Sequence, residues 1–203
     1  EWTDVCKKEN LNIETKTICC YPTEKDFVLS HVNLIKEKID LRKLSETTLI
    51  FSAHGLPENK IKKGDPYQWQ VEQSVKLLVK KLSIEKLNYI LSYQSRVGPL
   101  KWIGPSTEKI ITNEAIKKKI IIVVPVAFVS EHSETLVELD IEYRKLAEDN
   151  GSKQYIRIPA VTINQDFINS LKSNILQAGK GEKFTSSIKC PEKFKKCPRL
   201  KGL

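Results

Sequence analysis

The amino-acid sequence predicts an α/β fold with a parallel sheet that carries helices on both faces. Short apolar segments alternate along the chain with longer segments of helical periodicity. The most apolar segment, residues 120–128, has the Val, Ile and Phe content of a strand covered on both faces. A length of 203 residues is enough to bury a core of this kind.

Five strands and five helices are predicted, in alternation and without an internal repeat. The strands are expected at residues 15–20, 47–53, 89–93, 120–128 and 154–158. The helices are expected at residues 24–39, 67–82, 106–117, 133–150 and 166–177. Ser106 offers a side-chain oxygen as an amino-terminal cap, and Gly151 suits a left-handed carboxyl-terminal cap.

The net charge of +9 is concentrated at the carboxyl terminus. Residues 180–203 contain eight basic and two acidic residues, and residues 1–179 hold the remaining +3. This predicts an α/β domain of residues 1–179 followed by a basic, solvated and partly disordered tail of residues 180–203. The tail lacks the interleaved aromatic residues that stack on bases, so nucleic acid is not an expected partner.

Other function classes are disfavoured by what the sequence lacks. It has no apolar run near the roughly 18 residues of a membrane-spanning helix, and no signal-peptide pattern at its start. These absences predict a soluble chain. Its five cysteines are odd in number, which disfavours a disulfide framework and, without a secretory signal, predicts a reducing, intracellular compartment. No phosphate-binding glycine motif is present, which counts against a nucleotide enzyme.

Polar side chains follow three of the predicted strands. His54 follows the second, Gln94, Ser95 and Arg96 follow the third, and the run Glu131, His132, Ser133 and Glu134 follows the fourth. Because the carboxyl ends of parallel strands meet at one edge of a sheet, a site is expected there. An imidazole at such a position can exchange protons near neutral pH, although an ordinary loop histidine gives the same pattern.

Glu134, Glu138 and Glu142 are spaced four residues apart, so they share one face of the predicted helix. A solvent-exposed charged stripe is one interpretation. Like charges at this spacing destabilise a helix by a few tenths of a kcal/mol each. A line of carboxylates beginning at His132 is also what a path for cations or protons requires.

The loop QSRVGPLKWIGP at residues 94–105 is held by two Gly-Pro pairs. Trp102 can cover an apolar macrocycle, and Arg96 or Lys101 can meet its carboxylates. A rigid connector with Trp102 in the core is the alternative.

In combination, these motifs resemble the ferrochelatase family. The matching runs are SAHGLP (52–57), GDPY (64–67), the loop at 94–105, PVAFVSEHSETL (125–136) and ELDIEY (138–143). They occur in the family's order over roughly residues 17–177, and the run WIGPST (102–107) is most similar to alphaproteobacterial members. The resemblance covers only the carboxyl-terminal half of the family's chain.

The resemblance implies the chelatase fold, in which two Rossmann-like α/β halves enclose a porphyrin. It implies a lyase that inserts ferrous iron into protoporphyrin IX to form protohaem in haem biosynthesis. Without the missing amino-terminal half, this chain alone is expected to be inactive. Two alternatives stay open: a chelatase for coproporphyrin or a corrin precursor, and a non-catalytic fragment that binds porphyrin or haem.

The resemblance also implies roles for individual residues. His54 corresponds to the active-site histidine, a ligand for incoming iron and an acceptor of pyrrole protons. Glu134 corresponds to its partner across the macrocycle and to the second metal ligand. His132 and Glu138 correspond to neighbours that tune this glutamate and conduct protons or metal. The residues expected to bind substrate are Ser95, Arg96, Trp102 and Phe128.

Ferrous iron is expected as the substrate metal. Some family members also hold a [2Fe–2S] cluster through cysteines near the carboxyl terminus. Cys190 and Cys197 lie in that region but are sparser than in the animal pattern, which favours unligated cysteines over a cluster completed by the missing half. The expected location is the bacterial cytoplasm, with the matrix side of the mitochondrial inner membrane as the alternative, and with peripheral membrane contact.

Overall fold

The computed structural model describes residues 2–96, 98–181 and 184–201. Its strands are β1 (Thr17–Cys20), β2 (Thr47–His54), β3 (Tyr89–Gln94), β4 (Ile120–Pro125), β5 (Gln154–Arg157) and β6 (Phe184–Ser186). Its α-helices are α1 (Trp2–Lys8), α2 (Lys25–Lys36), α3 (Glu58–Lys62), α4 (Tyr67–Leu82), α5 (Thr107–Ile116), α6 (Tyr143–Asp149) and α7 (Gln165–Gly179). A π-helix covers Glu134–Glu142, and 3₁₀ helices cover Leu41–Glu46 and Pro198–Lys201. Residues 1, 97, 182, 183, 202 and 203 lie outside the described residues.

Four parallel strands form the main sheet in the order β3-β2-β4-β5. The prediction of a parallel α/β fold is therefore confirmed. The first predicted strand does not join this sheet: β1 pairs with β6 in a separate two-stranded parallel sheet. The five-stranded expectation was wrong because the backbone of β1 finds its partner in the segment after α7, where only three residues form a strand.

Helices cover both faces of the main sheet, as predicted. Leu49 and Phe51 of β2 point to one side and pack in a core with α2 and α4. Ile50 points to the other side and packs with Ile121 of β4 and with α5 and α6. Successive side chains of a strand face opposite sides of the sheet. Since helices cover both sides, these β2 side chains on each side are apolar and fully buried. Burying a side chain of this size stabilises the fold by about 1.5–3 kcal/mol.

Two predicted elements have different bounds or a different type. The strand expected at residues 120–128 ends at Pro125, and the chain then turns. The helix expected at 133–150 is a π-helix for its first nine residues and becomes α-helical only at Tyr143. Apolar spacing does not separate these two helix types, because the choice is made by contacts with other elements.

The two predicted helix caps have opposite outcomes. Gly151 follows α6 with a φ of 86°, which confirms the left-handed cap. Ser106 precedes α5, but its hydroxyl makes no capping hydrogen bond, so that prediction was wrong. The sequence analysis did not name Glu24, whose carboxylate accepts the N–H groups of Asp26 and Phe27 at the start of α2, or Asn164, which caps α7.

The basic segment packs on the domain where the structure describes it. The backbone N–H of Lys196 donates to Gly64 O at 3.1 Å, and Gly64 adopts a φ of 89°. A β-carbon at Gly64 would lie 2.9 Å from Lys195 N, so this close approach requires glycine. The division of the chain at residue 179 stays a prediction. No helix in the described part of the chain is long and apolar enough to cross a membrane.

His31 of α2 makes stability depend on pH. The residue is 2% exposed, Nδ1 donates to Phe27 O at 3.0 Å, and Nε2 has no hydrogen-bond partner among the described residues. Burial lowers the pKa of His31, so the folded state holds the neutral ring while the unfolded state takes up a proton below about pH 6.5. The free energy of unfolding should therefore fall as the pH drops below about 6.5.

The measurement is urea unfolding of the chain and of His31→Phe between about pH 8 and pH 5. The variant should lose less stability than the parent over the acidic part of this range. Parallel pH profiles for the two proteins would contradict the assignment to His31.

Candidate active site

His54 and Glu134 lie in direct contact at the carboxyl edge of the sheet. His54 ends β2, Glu134 begins the π-helix, and His54 Nδ1 lies 3.0 Å from Glu134 Oε2. The two side chains are 40% and 36% exposed, so both can reach a ligand. Tyr67 of α4 donates its hydroxyl to His54 O at 3.0 Å and holds the end of the strand.

This contact corrects one expectation. Glu134 was expected across a macrocycle from His54, but a separation of 3.0 Å leaves no room for a ring between them. Both side chains therefore approach any flat ligand from the same side.

His132 and Phe128 complete this side of the site. His132 Nδ1 accepts the backbone N–H of Glu134 at 3.2 Å, so in the neutral ring the proton is on Nε2. The ring of Phe128 packs between the two imidazoles, with centroids 6.5 Å from His54 and 5.1 Å from His132. Phe128 is only 8% exposed, so most of its surface is taken up by packing within the chain.

Glu138 is saturated with hydrogen-bond donors. Its carboxylate accepts the N–H and hydroxyl of Ser95, the amide of Gln94 and the hydroxyl of Tyr143. Ser95 has a φ of 56°, a left-handed conformation that costs a non-glycine residue about 1–2 kcal/mol. The carboxylate thus holds a strained residue of the loop against the π-helix.

The sequence analysis placed Gln94 after the third predicted strand but gave it no role. It is 1% exposed, and its Oε1 accepts the hydroxyl of Ser52 at 2.8 Å. Its Nε2 donates to Glu134 O and to a carboxylate oxygen of Glu138, both at 3.1 Å. One amide therefore ties β2 and β3 to the π-helix. A polar residue at the carboxyl end of a buried strand was the available signal.

Arg96 and Trp102 are brought to the same edge by Gly55. A β-carbon at Gly55 would lie 2.8 Å from Gln94 O, 3.2 Å from Arg96 Cγ and 3.4 Å from Trp102 Cε3. The backbone also joins the two loops, because Gly55 N–H donates to Gln94 O at 2.9 Å. Glycine is required here since a side chain would collide with fixed backbone.

An acidic cavity of about 380 Å³ opens beside this edge. Its lining includes Arg96, Glu108, Glu138, Glu142 and Tyr143. Burial raises the pKa of Tyr143 well above its usual range, and the adjoining Glu138 carboxylate adds to the rise. Tyr143 is therefore a neutral donor to Glu138, whereas Glu108 and Glu142 can face a cation entering from solvent.

Cys190 and Cys197 lie in a buried cluster with Phe194, against Cys19 and Trp69. The structure therefore brings together cysteines that are distant in the sequence. Within residues 2–96, 98–181 and 184–201, no group of three or more His, Cys, Asp or Glu side chains is arranged to hold a metal ion. The expectation that these cysteines are unligated stays a prediction.

Cys20 lies next to this cluster and is protonated. Burial raises the pKa of its thiol to about 12, and the neighbouring thiols of Cys19 and Cys190 add to the rise. The hydrogen bond with Ser186 Oγ acts in the opposite direction but is outweighed. These cysteines pack between β1 and the carboxyl-terminal segment.

A parallel α/β domain with proton-exchanging groups at the carboxyl edge of its sheet is typical of proteins that bind a ligand at that edge. The model of one family, Ferrochelatase, matches residues 1–178. The chain is 58% identical over 205 residues to the ferrochelatase of Pelagibacter ubique, covering 98% of this chain and 59% of that protein. Identity to the Rickettsia felis ferrochelatase is 51%, covering 93% of this chain and 56% of that protein.

This chain belongs to the ferrochelatase family, and the similarity to its alphaproteobacterial members is confirmed. It spans somewhat more than half the length of the curated relatives that it matches.

The role of Glu138 as an anchor predicts a loss of stability in Glu138→Gln. The amide would present donors to groups that already donate, leaving buried donors unsatisfied at a cost of about 1–3 kcal/mol. Glu142→Gln is the matched control, since this exposed glutamate lies four residues on and should change stability by about 0.5 kcal/mol or less. Chemical denaturation measures both variants. Equal changes in the two would rule out the anchoring role.

Proposed function

We propose that the protein containing this chain inserts ferrous iron into protoporphyrin IX and forms protohaem, a step of haem biosynthesis. The observation that carries the proposal is the contact of His54 with Glu134 at the carboxyl edge of a sheet of the ferrochelatase family. Iron is here a substrate and not a resident cofactor. Insertion releases two protons from the pyrrole nitrogens while the metal loses water.

His54 is proposed to accept the pyrrole protons. With the Nδ1 proton donated to Glu134, the lone pair of the neutral ring is at Nε2, free to take a proton. The Glu134 carboxylate then stabilises the imidazolium that forms, as a carboxylate does in other histidine bases. Since both side chains reach the same face, His54 and Glu134 are also the proposed metal ligands on that face.

His132 and Glu138 are proposed to support this pair. His132 Nδ1 holds the first backbone N–H of the π-helix and thereby orients Glu134. The four donors on Glu138 favour a positioning role over proton transfer, because its oxygens are already occupied. The exposed Glu142 is better placed to carry metal or protons from the acidic cavity.

The substrate is proposed to lie against the loops that meet at Gly55. Arg96 and Trp102 stand next to this glycine, where they can meet a carboxylate and an apolar ring face. Ser95 and Phe128 are proposed to bind substrate through the surfaces that their internal contacts leave free. The relatives are longer than this chain. The second wall of the cleft and any peripheral membrane contact are proposed to lie in the part of the relatives that this chain does not cover. The bacterial relatives favour a cytoplasmic location over a mitochondrial one.

Removing the proposed base tests the mechanism. In the complete protein, His54→Ala should lower the rate of metal insertion by about 10²–10⁴-fold, the usual contribution of general base catalysis. Glu134→Gln should also lose turnover but retain porphyrin binding, because it keeps the shape and removes the charge. Porphyrin consumption with Fe²⁺ or Zn²⁺ is followed by absorbance.

His31→Phe is the control, since this histidine is buried in α2 and should leave turnover unchanged. An active His54→Ala variant would remove His54 from the mechanism. Loss of porphyrin binding in Glu134→Gln would move Glu134 from chemistry to recognition.

Residues 1–203 alone should bind porphyrin weakly and turn over negligibly. The proposed groups all lie along one sheet edge, so they supply one wall, whereas distorting a macrocycle and excluding water from it requires two. Adding the remaining segment of the protein in trans should restore part of the activity. A rate for the isolated chain comparable to that of a complete ferrochelatase would contradict the two-walled cleft.

A further inference from the structure

Two carboxylates flank the segment that carries His132 and Glu134. Glu131 stands just before it, and Asp140 lies within the π-helix. Both carboxylates face Arg157, the last residue of β5. Arg157 Nη1 donates to both oxygens of Glu131, at 2.9 and 3.1 Å, and Arg157 Nε forms an ion-pair contact with Asp140 Oδ2 at 3.2 Å that lacks hydrogen-bond geometry. One guanidinium therefore holds the segment at two points.

The contacts around Arg157 are mostly shielded from solvent. Its side chain is only 10% exposed, and Glu131 also accepts the backbone N–H of Ala160 at 2.9 Å. Burial acts to raise the pKa of Glu131, but hydrogen bonds from Thr135, Arg157 and Ala160 leave it below its ordinary value. Arg157 and Glu131 thus form a fixed ion pair. Removing either side chain would leave the other as an uncompensated charge that is mostly shielded from solvent.

The held segment needs external anchors because it is π-helical. A π-helix of nine residues is rare, since each turn contains one residue more than the favoured α-helix. Relaxation to α-helical hydrogen bonding would rotate Glu134 relative to Asp140. The 3.0 Å contact between His54 and Glu134 would then be lost. Tyr155 adds a further anchor by donating its hydroxyl to Leu139 O.

The planar shape of the guanidinium matters for this task. Its Nη1 and Nε groups point in different directions, so one side chain can meet two carboxylates at once. A lysine ammonium is a single point that can meet only one of them well. Arg144 also contacts Asp140, but its other partner is Tyr155 O, and so it does not span the segment.

We propose that Arg157 is a positioning residue: it holds Glu131 and Asp140 at a fixed separation and thereby sets where His132 and Glu134 stand relative to His54. The effect on turnover rests on the proposed function, whereas the effect on side-chain position does not.

Histidine signals test the positional part. The chain has three histidines, so selective ¹⁵N labelling of its imidazoles gives three sets of nitrogen resonances. Arg157→Gln should shift the resonances of His54 and His132 and leave those of the distant, buried His31 unchanged. Arg144→Gln is the matched control and should leave all three in place.

Arg157→Lys is a second variant, which keeps the test open if Arg157→Gln does not fold. It should shift the same two histidines by less than Arg157→Gln does, with His31 again unchanged. Parent-like signals of His54 and His132 in a folded Arg157→Gln would overturn the proposal, as would equal shifts in Arg144→Gln. Loss of the His31 signal in both Arg157 variants would show that Arg157 holds the whole fold, which would also overturn it.

Kinetics of the complete protein test the consequence. Arg157→Gln should lower kcat for metal insertion on the order of 10²-fold, the effect of a misplaced reacting group, with an unchanged KM for porphyrin. Arg157→Lys should recover part of the loss. Displaced histidines with unchanged kcat would overturn the catalytic consequence. If instead the proposed function is wrong, the parent protein will not insert metal, whereas Arg157→Gln will still shift the resonances of His54 and His132.

Discussion

The parallel pairing of β2 with β3 and β4 is the constraint on which the site depends. In this register His54 stands opposite Gln94, so β2 and β3 end at one level, and Ser52 stands opposite Pro125, so β4 ends two residues earlier on the same side of the sheet. β2 is paired on both sides, with β3 and with β4, and the polar side chains that follow these strands share the space beyond the edge. Every residue of the proposed chemistry enters from one of these ends or from the loop that follows it.

A buried polar network converts this edge into a fixed geometry. The hydroxyl of Ser52 bonds both Gln94 and Thr107, and Gln94 reaches on to Glu138. Such a network is stable only when each member has a partner, because an unpaired buried group costs more than a bond gains. The strained Ser95 is held by the same carboxylate. The hydrogen bonds of this network therefore hold the loop in one arrangement.

The π-helix connects that edge to the chemistry. Glu134 and Glu138 face the sheet ends, while Asp140 faces Arg157 on β5. The helix is thus anchored on two sides by side chains from different strands. Anchoring of this kind stabilises a helix type that propensity alone disfavours, and it makes the position of Glu134 depend on residues that never meet a ligand.

The sequence by itself determined the alternation of strands and helices, the apolar strands of the sheet, and the motifs that carry His54 and Glu134. These follow from periodicity and from residue type, which are local properties. Tertiary structure decided what local pattern cannot express: the pairing of β1 with β6, the π-helical start of the segment after β4, and the roles of Gln94 and Arg157. It also placed His54 and Glu134, 80 residues apart in the chain, on the same side of the site. Each of these depends on which distant groups meet, and that is settled only when the sheet closes and its buried polar groups must find partners.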